Sequence, residues 1–430
     1  MPLDSRHAMD ALRELLRTHT GEELLRKLAP KTHPAPPKVL SGSDVSQAIV
    51  DARWRALPSP DGARAVLLDA ATAEQASLYA RNIENFVGTV KLPVGIAGPI
   101  RVNGTHAQGD YYVPLATTEA ALVASYSRGA QIITEAGGCS AILTNEGVSR
   151  APGFAFRTLH EAGQFVAWAM GALPELKRVA DGTSRHGRLK DMRVSIEGNH
   201  VYLIFDYSTG DAAGQNMVTI ATQAVCDYIA RECPLAARYA FVEANHSGDK
   251  KASAQSFITG RGKSVTADVV IPRTLVEGRL HTTPEMMARY WAMSAVGGVL
   301  SGTIGVQGHY ANGLAAIYLA CGQDVACVAE SAVGVTRIES QGDAMYMSVT
   351  LPNLVVGTVG GATALPSQRA CLQILGLAGP GHAQAFAEVC AAVSLAGELS
   401  IVAALCAGEF AEAHQRLARA PAAPPPGRPA

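Results

Sequence analysis

The spacing of apolar residues predicts that the chain begins with a helical module. Residues 8 to 28 follow an amphipathic helical pattern, and residues 41 to 84 carry a second helical stretch that starts at the capping cluster SGSD. The segment PKTHPAPPK separates the two, and its prolines cannot continue a helix. We therefore expect a small N-terminal module over residues 1–84.

Between residues 153 and 243 the predicted order is strand, helix, strand, strand, helix, strand, which is typical of a ferredoxin-like unit. FAFRTL is the first strand, HEAGQFVAWAM the first helix, and RLKDMRVSIEGNHVYLIFDY a hairpin. The second helix has Asp211 as its predicted N-cap, and its apolar residues recur at helical spacing from Met217 to Ile229. The strand YAFVEA closes the unit.

Glycine-rich and alanine-rich sequence stands on both sides of this unit. We therefore interpret residues 153–243 as an insertion into a larger domain formed by residues 85–152 and 244–412, with a small-residue helix from about Glu119 to Glu135. Residues 413–430 form a mobile C-terminal segment whose proline-rich tail should be disordered. The predicted fold class is α+β, with a large, mostly helical domain, the inserted ferredoxin-like domain and the helical module.

Composition narrows the class of protein. Hydrophobic residues make up 48% and charged residues 17%, which is typical of a well-buried globular protein. The 36 basic and 37 acidic residues balance without a basic run, so neither nucleic acid nor an anionic membrane is an expected partner. The eight cysteines form no CxxC pair, which favours reduced thiols and no metal site. The first residues lack a signal-like apolar core and Glu398 interrupts the most apolar stretch, so we expect a cytoplasmic protein.

Four reactive side chains are candidates for catalysis. Glu119 lies among small apolar residues in ATTEAALVAS, where it is either a favourable helix N-terminal charge or a general acid. His414 in GEFAEAHQRLAR is either an exposed structural histidine or a group that protonates a leaving group near neutral pH. Asp324 stands in the apolar run IYLACGQDVACVAE, and a buried carboxylate needs a cation, for which Lys250 is the candidate.

Lys250 belongs to a basic cluster in HSGDKKASAQSFITGRGKSV. The cluster is either a solvated loop or a set in which one lysine stabilises a carbonyl oxyanion while its neighbours bind the phosphates of an anionic substrate. Spacing does not decide between the two.

Three further segments could bind phosphate groups. GDAAGQNM lies at a predicted helix N-terminus, and VVGTVGGAT is a glycine-rich turn, although neither fits the GxGxxG pattern of a Rossmann domain. SRHGR offers Ser184 and Arg185, a hydroxyl and a guanidinium of the kind that bind a 2'-phosphate. Tight turns and a solvated loop are the alternatives.

These segments, in this order, resemble the family of 3-hydroxy-3-methylglutaryl-CoA (HMG-CoA) reductases from about Glu84 to His414. The resemblance rests on ENFVGTVKLPVGIAGPI, VPLATTEAALVAS, GDAAGQNM, DKK followed by GRGKSV, ACGQD, GTVGGAT with ALPSQRACLQ, and AGELS. It implies that the large domain binds substrate and forms the dimer, that the inserted domain binds NAD(P), and that the active sites of a homo-oligomer lie between subunits.

The resemblance also implies roles for individual residues. Glu119 corresponds to the catalytic acid, Lys250 to the oxyanion-stabilising lysine, Asp324 to the aspartate that tunes both, and His414 to the histidine that protonates the CoA thiolate. Cofactor contacts are implied for Ser184, Arg185, Asp211, Gly214, Gln215, Asn216, Gly357, Thr358, Gly360 and Gly361. Substrate or CoA contacts are implied for Ser125, Arg128, Arg150, Asn245, Asp249, Lys251 and Gln307.

The implied reaction reduces HMG-CoA twice, consumes two NADPH and yields mevalonate and CoA. GIAGP and SRHGR are more similar to the animal and archaeal enzymes than to the bacterial degradative group, which favours NADPH over NADH.

Three positions depart from the family pattern. Glu243 stands where a serine is usual and would repel the carboxylate of the substrate, Gln307 replaces an asparagine, and Ala362 replaces a glycine. A reductase of another acyl-CoA and a non-catalytic homologue are therefore the alternative hypotheses.

Overall fold

The structure is a computed structural model that describes residues 5–31, 38–58 and 62–409. His414, the predicted mobile segment 413–430 and most of the predicted proline-rich linker lie outside the described residues. The chain divides into two compact units, Met1–Thr89 and Val90–Ala430.

The first unit is helical. Its helices are Ser5–Thr18 (α1), Gly21–Leu28 (α2), Gln47–Ala56 (α3), Ala63–Leu67 (α4) and Ala70–Glu74 (α5). The prediction of one helix over residues 8 to 28 is wrong, because Thr20 caps a second helix. Its side chain accepts a hydrogen bond from the backbone N–H of Glu23, whose carboxylate accepts one from the N–H of Thr20. The next helix begins at Gln47, later than the predicted cluster SGSD.

The second unit combines helices with long strands. Its helices are Leu122–Glu135 (α6), Leu159–Asp181 (α7), Gln215–Glu232 (α8), Gln255–Ile258 (α9), Arg273–Leu280 (α10), Pro284–Ser301 (α11), Tyr310–Ala320 (α12), Val328–Ser331 (α13), Pro366–Ile374 (α14) and Ala383–Cys406 (α15). Its strands are Val94–Gly104 (β1), Gln108–Ala116 (β2), Cys139–Arg150 (β3), Gly153–Ala155 (β4), Arg188–Glu197 (β5), His200–Ser208 (β6), Tyr239–Phe241 (β7), Gly262–Pro272 (β8), Gly305–Val306 (β9), Gly334–Gln341 (β10) and Ala344–Leu354 (β11).

Seven of these strands form one continuous path in the order β2-β1-β3-β8-β11-β10-β9. The β1–β3 and β9–β10 pairs are parallel and the others antiparallel. Buried side chains alternate along β8, as expected for a strand with one face on the core. The α+β class is confirmed, although the sequence pattern had not assigned β8, β10 and β11.

The remaining strands pair in the order β7-β4-β6-β5, all antiparallel, which is the ferredoxin-like order that the sequence predicts. The first strand is shorter than FAFRTL because Thr158 caps α7 by accepting a hydrogen bond from the N–H of Glu161. The end of β3 also pairs with β6, so β3 connects the seven-stranded path to the four ferredoxin-like strands. The exact boundaries of the inserted domain stay a prediction.

The core helix of the second unit is α15. It is 24 residues long with a hydropathy of 2.1, which is apolar and long enough to cross a membrane, but 83% of that stretch is buried inside the unit. Both carboxylates of α15 accept hydrogen bonds from backbone N–H groups of the same unit. Glu388 accepts hydrogen bonds from the backbone of residues 105–107, in the β1–β2 turn. Glu398 accepts from the N–H groups of Gly308 and His309, at 2.7 Å each, and so fixes the start of α12.

Candidate active site

Lys250 and Asp324 form an ion pair. Lys250 Nζ lies 2.7 Å from Asp324 Oδ2, and the hydrogen bond that the ammonium donates to this carboxylate raises the pKa of the lysine above its ordinary value. The ammonium is therefore charged at neutral pH. The sequence prediction that Asp324 is buried is wrong: its side chain is 40% exposed, because it stands in the turn that follows α12.

The loop between β7 and α9 presents Lys250 in an uncommon backbone conformation. Its φ is +56°, in the left-handed region that non-glycine residues rarely adopt. The backbone N–H of Lys250 donates to Glu330 Oε1 at 3.1 Å. The buried carboxylate of Glu330, on α13, thus fixes the backbone of Lys250.

Behind this pair lies a buried charge network. Arg261 contacts Glu330 at 2.6 Å and Asp249 at 2.8 Å, and Arg150 contacts Asp249 at 2.7 Å. Burial works to raise the pKa of Asp249, but the two arginines outweigh it and the pKa is lowered. Burial raises the pKa of Glu330, and Arg261 offsets this only in part. By pairing with Asp249, the two arginines hold in place the loop that carries Lys250.

Glu243 is part of the same network. Its carboxylate accepts hydrogen bonds from the N–H of Asn245 at 2.8 Å and the hydroxyl of Ser247 at 2.9 Å. It also lies 3.5 Å from Arg150 Nη1. Glu243 thus closes the turn that begins the Lys250 loop, and it shares Arg150 with Asp249.

Glu119 lies at another point of the unit. It is exposed, and α6 begins at Leu122 rather than at Glu119 as predicted, since Ala121 has a φ of +69°. Asn312 Nδ2 lies 3.5 Å from Glu119 Oε1. Asn312 is near the start of α12, and about 12 Å of helix separates it from the end that leads to Asp324. The contacts of the described residues thus bring Lys250 and Asp324 together, while Glu119 contacts Asn312.

The two glycine-containing loops predicted to bind a cofactor are in contact. Ala212 pairs with Val359, and the carbonyl of Asp211 accepts a hydrogen bond from the N–H of Thr358 at 2.8 Å. A Cβ on Gly357 would lie 2.4 Å from the backbone nitrogen of Ala213, so only glycine permits this approach. The structure thus joins two segments that stand far apart in sequence.

Asp211 is not the predicted N-cap of α8. The cap position is Gly214, and the carboxylate of Asp211 accepts hydrogen bonds from the N–H groups of Gly381 and Ala383 instead. Asp211 therefore joins this loop to the start of α15. Gln215 Oε1 accepts from Arg150 and Arg261, which directs Gln215 toward the charge network.

Other predicted cofactor residues border these loops. Asn216, Gly360 and Gly361 are exposed. Ser184 accepts hydrogen bonds from two backbone N–H groups of its own loop, and a Cβ on Gly187 would lie 2.7 Å from the sulfur of Met217. The SRHGR loop is therefore packed on the first turns of α8, with the side chain of Arg185 exposed.

Six of the seven predicted substrate residues fall into two groups. Arg150, Asn245, Asp249 and Lys251 belong to the Lys250 loop or its network. Ser125 and Arg128, by contrast, both contact Ser400 of α15.

Gln307 uses both ends of its amide internally, since it donates to the carbonyl of Ala332 and accepts from the N–H of Tyr310. Sequence reasoning had missed Asn312 and Glu330. The signal that singled out Asp324, an acid in an apolar run, applies equally to Glu330 in CVAESAVG.

The chain belongs to the hydroxymethylglutaryl-coenzyme A reductase family, whose model matches residues 49–419. A 3-hydroxy-3-methylglutaryl-coenzyme A reductase of Pyrococcus horikoshii is 45% identical over 350 residues, which cover 80% of this chain and 84% of that protein. The enzyme of the same name from Haloferax volcanii is 46% identical over 343 residues, with 78% and 85% covered.

A solved structure has a similar fold. It is the class II 3-hydroxy-3-methylglutaryl-CoA reductase from Streptococcus pneumoniae bound to NADPH in open conformations, with a TM-score of 0.62 and 20% sequence identity. The likeness covers 79% of this chain and 93% of that chain.

Proposed function

We propose that this chain reduces HMG-CoA to mevalonate and free CoA in two NADPH-dependent steps. The observation that carries the proposal is the Lys250–Asp324 ion pair, in which the backbone N–H of Lys250 also donates a hydrogen bond to Glu330. The relatives at about 45% identity, which are named for this activity, support the substrate and the reaction.

The residues of the pair suit the first reduction. Hydride addition to the thioester carbonyl creates an oxyanion, and the ammonium of Lys250 stabilises it because Asp324 keeps the lysine charged. Collapse of the oxyanion releases a thiolate, which His414 protonates. Glu119 then supplies a proton in the second reduction, at the mevaldehyde level.

The joined glycine loops fit NADPH. Thr358 Oγ1 is buried and has no hydrogen-bond partner among the described residues, and Gly360 and Gly361 leave open space where side chains would stand. Unpaired donors and accessible backbone suit the phosphate and amide groups of a dinucleotide. When bound, NADPH supplies the hydride. Residues 357–361, Asn216 and the SRHGR loop would hold it.

A second copy of the chain would complete the site. Glu119 contacts Asn312 near the start of α12, whereas Lys250 pairs with Asp324 after its end. The preceding helix α11 exposes several large apolar side chains. Met293, Val299 and Leu300 are 78%, 77% and 83% exposed. Such an unpartnered surface is typical of a subunit interface. The proposed protein is therefore a homo-oligomer, and its proposed location is the cytoplasm.

Replacement of the lysine tests the reaction. Lys250→Met should lower kcat for NADPH oxidation with HMG-CoA by about 100-fold or more, because one oxyanion donor is lost. Lys177→Met, at a partly exposed position of α7, is the matched control and should keep wild-type activity. A wild-type protein that does not oxidise NADPH with HMG-CoA would contradict the proposal.

A further inference from the structure

All nitrogens of the Arg150 guanidinium already have partners within the chain. Nε donates to Thr219 Oγ1 at 3.1 Å, and Nη2 donates to Gln215 Oε1 at 3.3 Å. Nη1 is shared by Asp249 Oδ2 at 2.7 Å and Glu243 Oε2 at 3.5 Å. These contacts use at most four of the five N–H donors of Arg150, so an incoming carboxylate competes with the present partners, Glu243 among them.

Glu243 is the more weakly paired of the two carboxylates at Arg150, and it also accepts hydrogen bonds from Asn245 and Ser247. Its contact with Arg150 is the longer of the two ion pairs, and its side chain is 22% exposed, against 9% for Arg150. Asp249, in contrast, also pairs with Arg261 at 2.8 Å. An anion that approaches from solvent therefore meets Glu243 before it meets the arginine.

The carboxylates around the lysine leave little free positive charge for an anion. Arg150, Arg261 and Lys250 each pair with at least one of four carboxylates, which are Glu243, Asp249, Asp324 and Glu330. Lys251, on the same loop, donates to the carbonyl of Asp249, and its charge brings the formal charges of the network into balance. Glu243 therefore acts through its position beside Arg150 and not through a net negative charge.

We infer that Glu243 is a specificity-determining residue of the acyl pocket. Its carboxylate occupies Arg150 and repels an acyl chain that ends in a carboxylate, so the chain binds acyl-CoA thioesters with a neutral end about as well as those with a charged end. The inference rests on the proposed function, since it places the acyl group beside Lys250.

A matched pair of ligands isolates the charge. HMG-CoA and its monomethyl ester at the terminal carboxyl differ by one charge, and their Kd values can be measured by calorimetry on the full chain without NADPH. In the wild type the two Kd values should agree within about threefold. Glu243→Gln should lower the Kd of HMG-CoA about tenfold and leave the Kd of the methyl ester unchanged, because the variant removes a charge of the same sign as the terminal carboxylate.

Two further variants complete the design. Glu197→Gln, an exposed residue at the end of β5, should change neither Kd. Adding Arg150→Met to Glu243→Gln should abolish the gain for HMG-CoA, because the released guanidinium is then absent. Unchanged binding of the methyl ester also shows that the Glu243→Gln protein is folded.

Equal changes in both Kd values, or no change in either, would overturn the assignment. Turnover separates this result from the proposed function. If both ligands bind but neither supports NADPH oxidation, the proposed reaction fails, while the ratio of the Kd values still decides the role of Glu243.

Discussion

Lys250 combines a strained backbone with a paired ammonium. A non-glycine residue with positive φ costs on the order of 1 kcal/mol or more, and the hydrogen bond from its N–H to Glu330 helps to retain the conformation. The carboxylate of Asp324 pairs with the ammonium at the end of the Lys250 side chain. Both the direction of the side chain and its charge are therefore set by carboxylates from the segment that follows α12.

Asp324→Asn tests the electrostatic part of this arrangement. Asp324 raises the pKa of Lys250, so the favourable pairing is present at neutral pH and is lost as the pH rises through the raised pKa. The variant should lower that pKa, and the alkaline limb of the kcat/KM profile should move to lower pH. An alkaline limb at the wild-type position would show that Asp324 does not tune the lysine.

Glu330→Gln tests the buried support. Removal of one partner of a buried ion pair costs about 3 kcal/mol, and Arg261 would keep only Asp249 as a charged partner. We expect a loss of about 3 kcal/mol in the free energy of unfolding, measured by chemical denaturation. Glu339→Gln, which removes an ion pair with Arg337 between exposed side chains of β10, is the control and should cost less than about 1 kcal/mol.

Arg185→Ala tests the proposed preference for NADPH. If the exposed guanidinium binds the 2'-phosphate, the variant should raise KM for NADPH by about tenfold or more and change KM for NADH little. Arg178→Ala, near the end of α7, should affect neither value. Equal effects of Arg185→Ala on both cofactors would contradict the assignment.

At the scale of elements, the crossing of α6 and α15 depends on a missing side chain. A Cβ on Gly129 would lie 1.9 Å from the carbonyl oxygen of Ala396, which is far inside van der Waals contact. The two helices can therefore approach closely only because residue 129 is glycine. Their contact places Ser125 and Arg128 against Ser400.

Gly129→Ala should force these helices apart. We expect a loss of about 3 kcal/mol or more in the free energy of unfolding, as overpacking of a core contact produces. Gly163→Ala on α7 is the matched control, since a Cβ there would meet nothing within 4 Å. That variant should stabilise the protein by about 0.5 to 1 kcal/mol through helix propensity. Similar melting temperatures for the two variants would refute the packing argument.

At the scale of the whole molecule, the proposed assembly would make association of two copies a condition for the proposed activity. Leu300→Glu, on the exposed face of α11, should convert an oligomer into monomers in sedimentation experiments and remove most of the activity. Met170→Glu, on the exposed part of α7, introduces the same charge and should do neither. An active monomeric Leu300→Glu protein would contradict the proposed assembly.

Much of the fold could be predicted from local pattern. The ferredoxin-like order followed from periodicity, because a half-buried hairpin and an amphipathic helix repeat at different spacings. Strands β8, β10 and β11 of the large sheet were not assigned, although buried side chains alternate along β8, because β8 pairs with segments distant in sequence. The break at Thr20 was missed because a single capping residue interrupts an otherwise continuous pattern.

The sequence by itself determined the α+β class, the candidate residues and the family, because these depend on residue types and their order. Only the tertiary structure decided which candidates meet. It pairs Lys250 with Asp324, joins the loops of Asp211 and Thr358, and keeps Glu119 at the far end of α12. It also gives Glu243 a partner in Arg150. These contacts join residues distant in sequence, and their distances are set by how strands and helices pack, which no local pattern encodes.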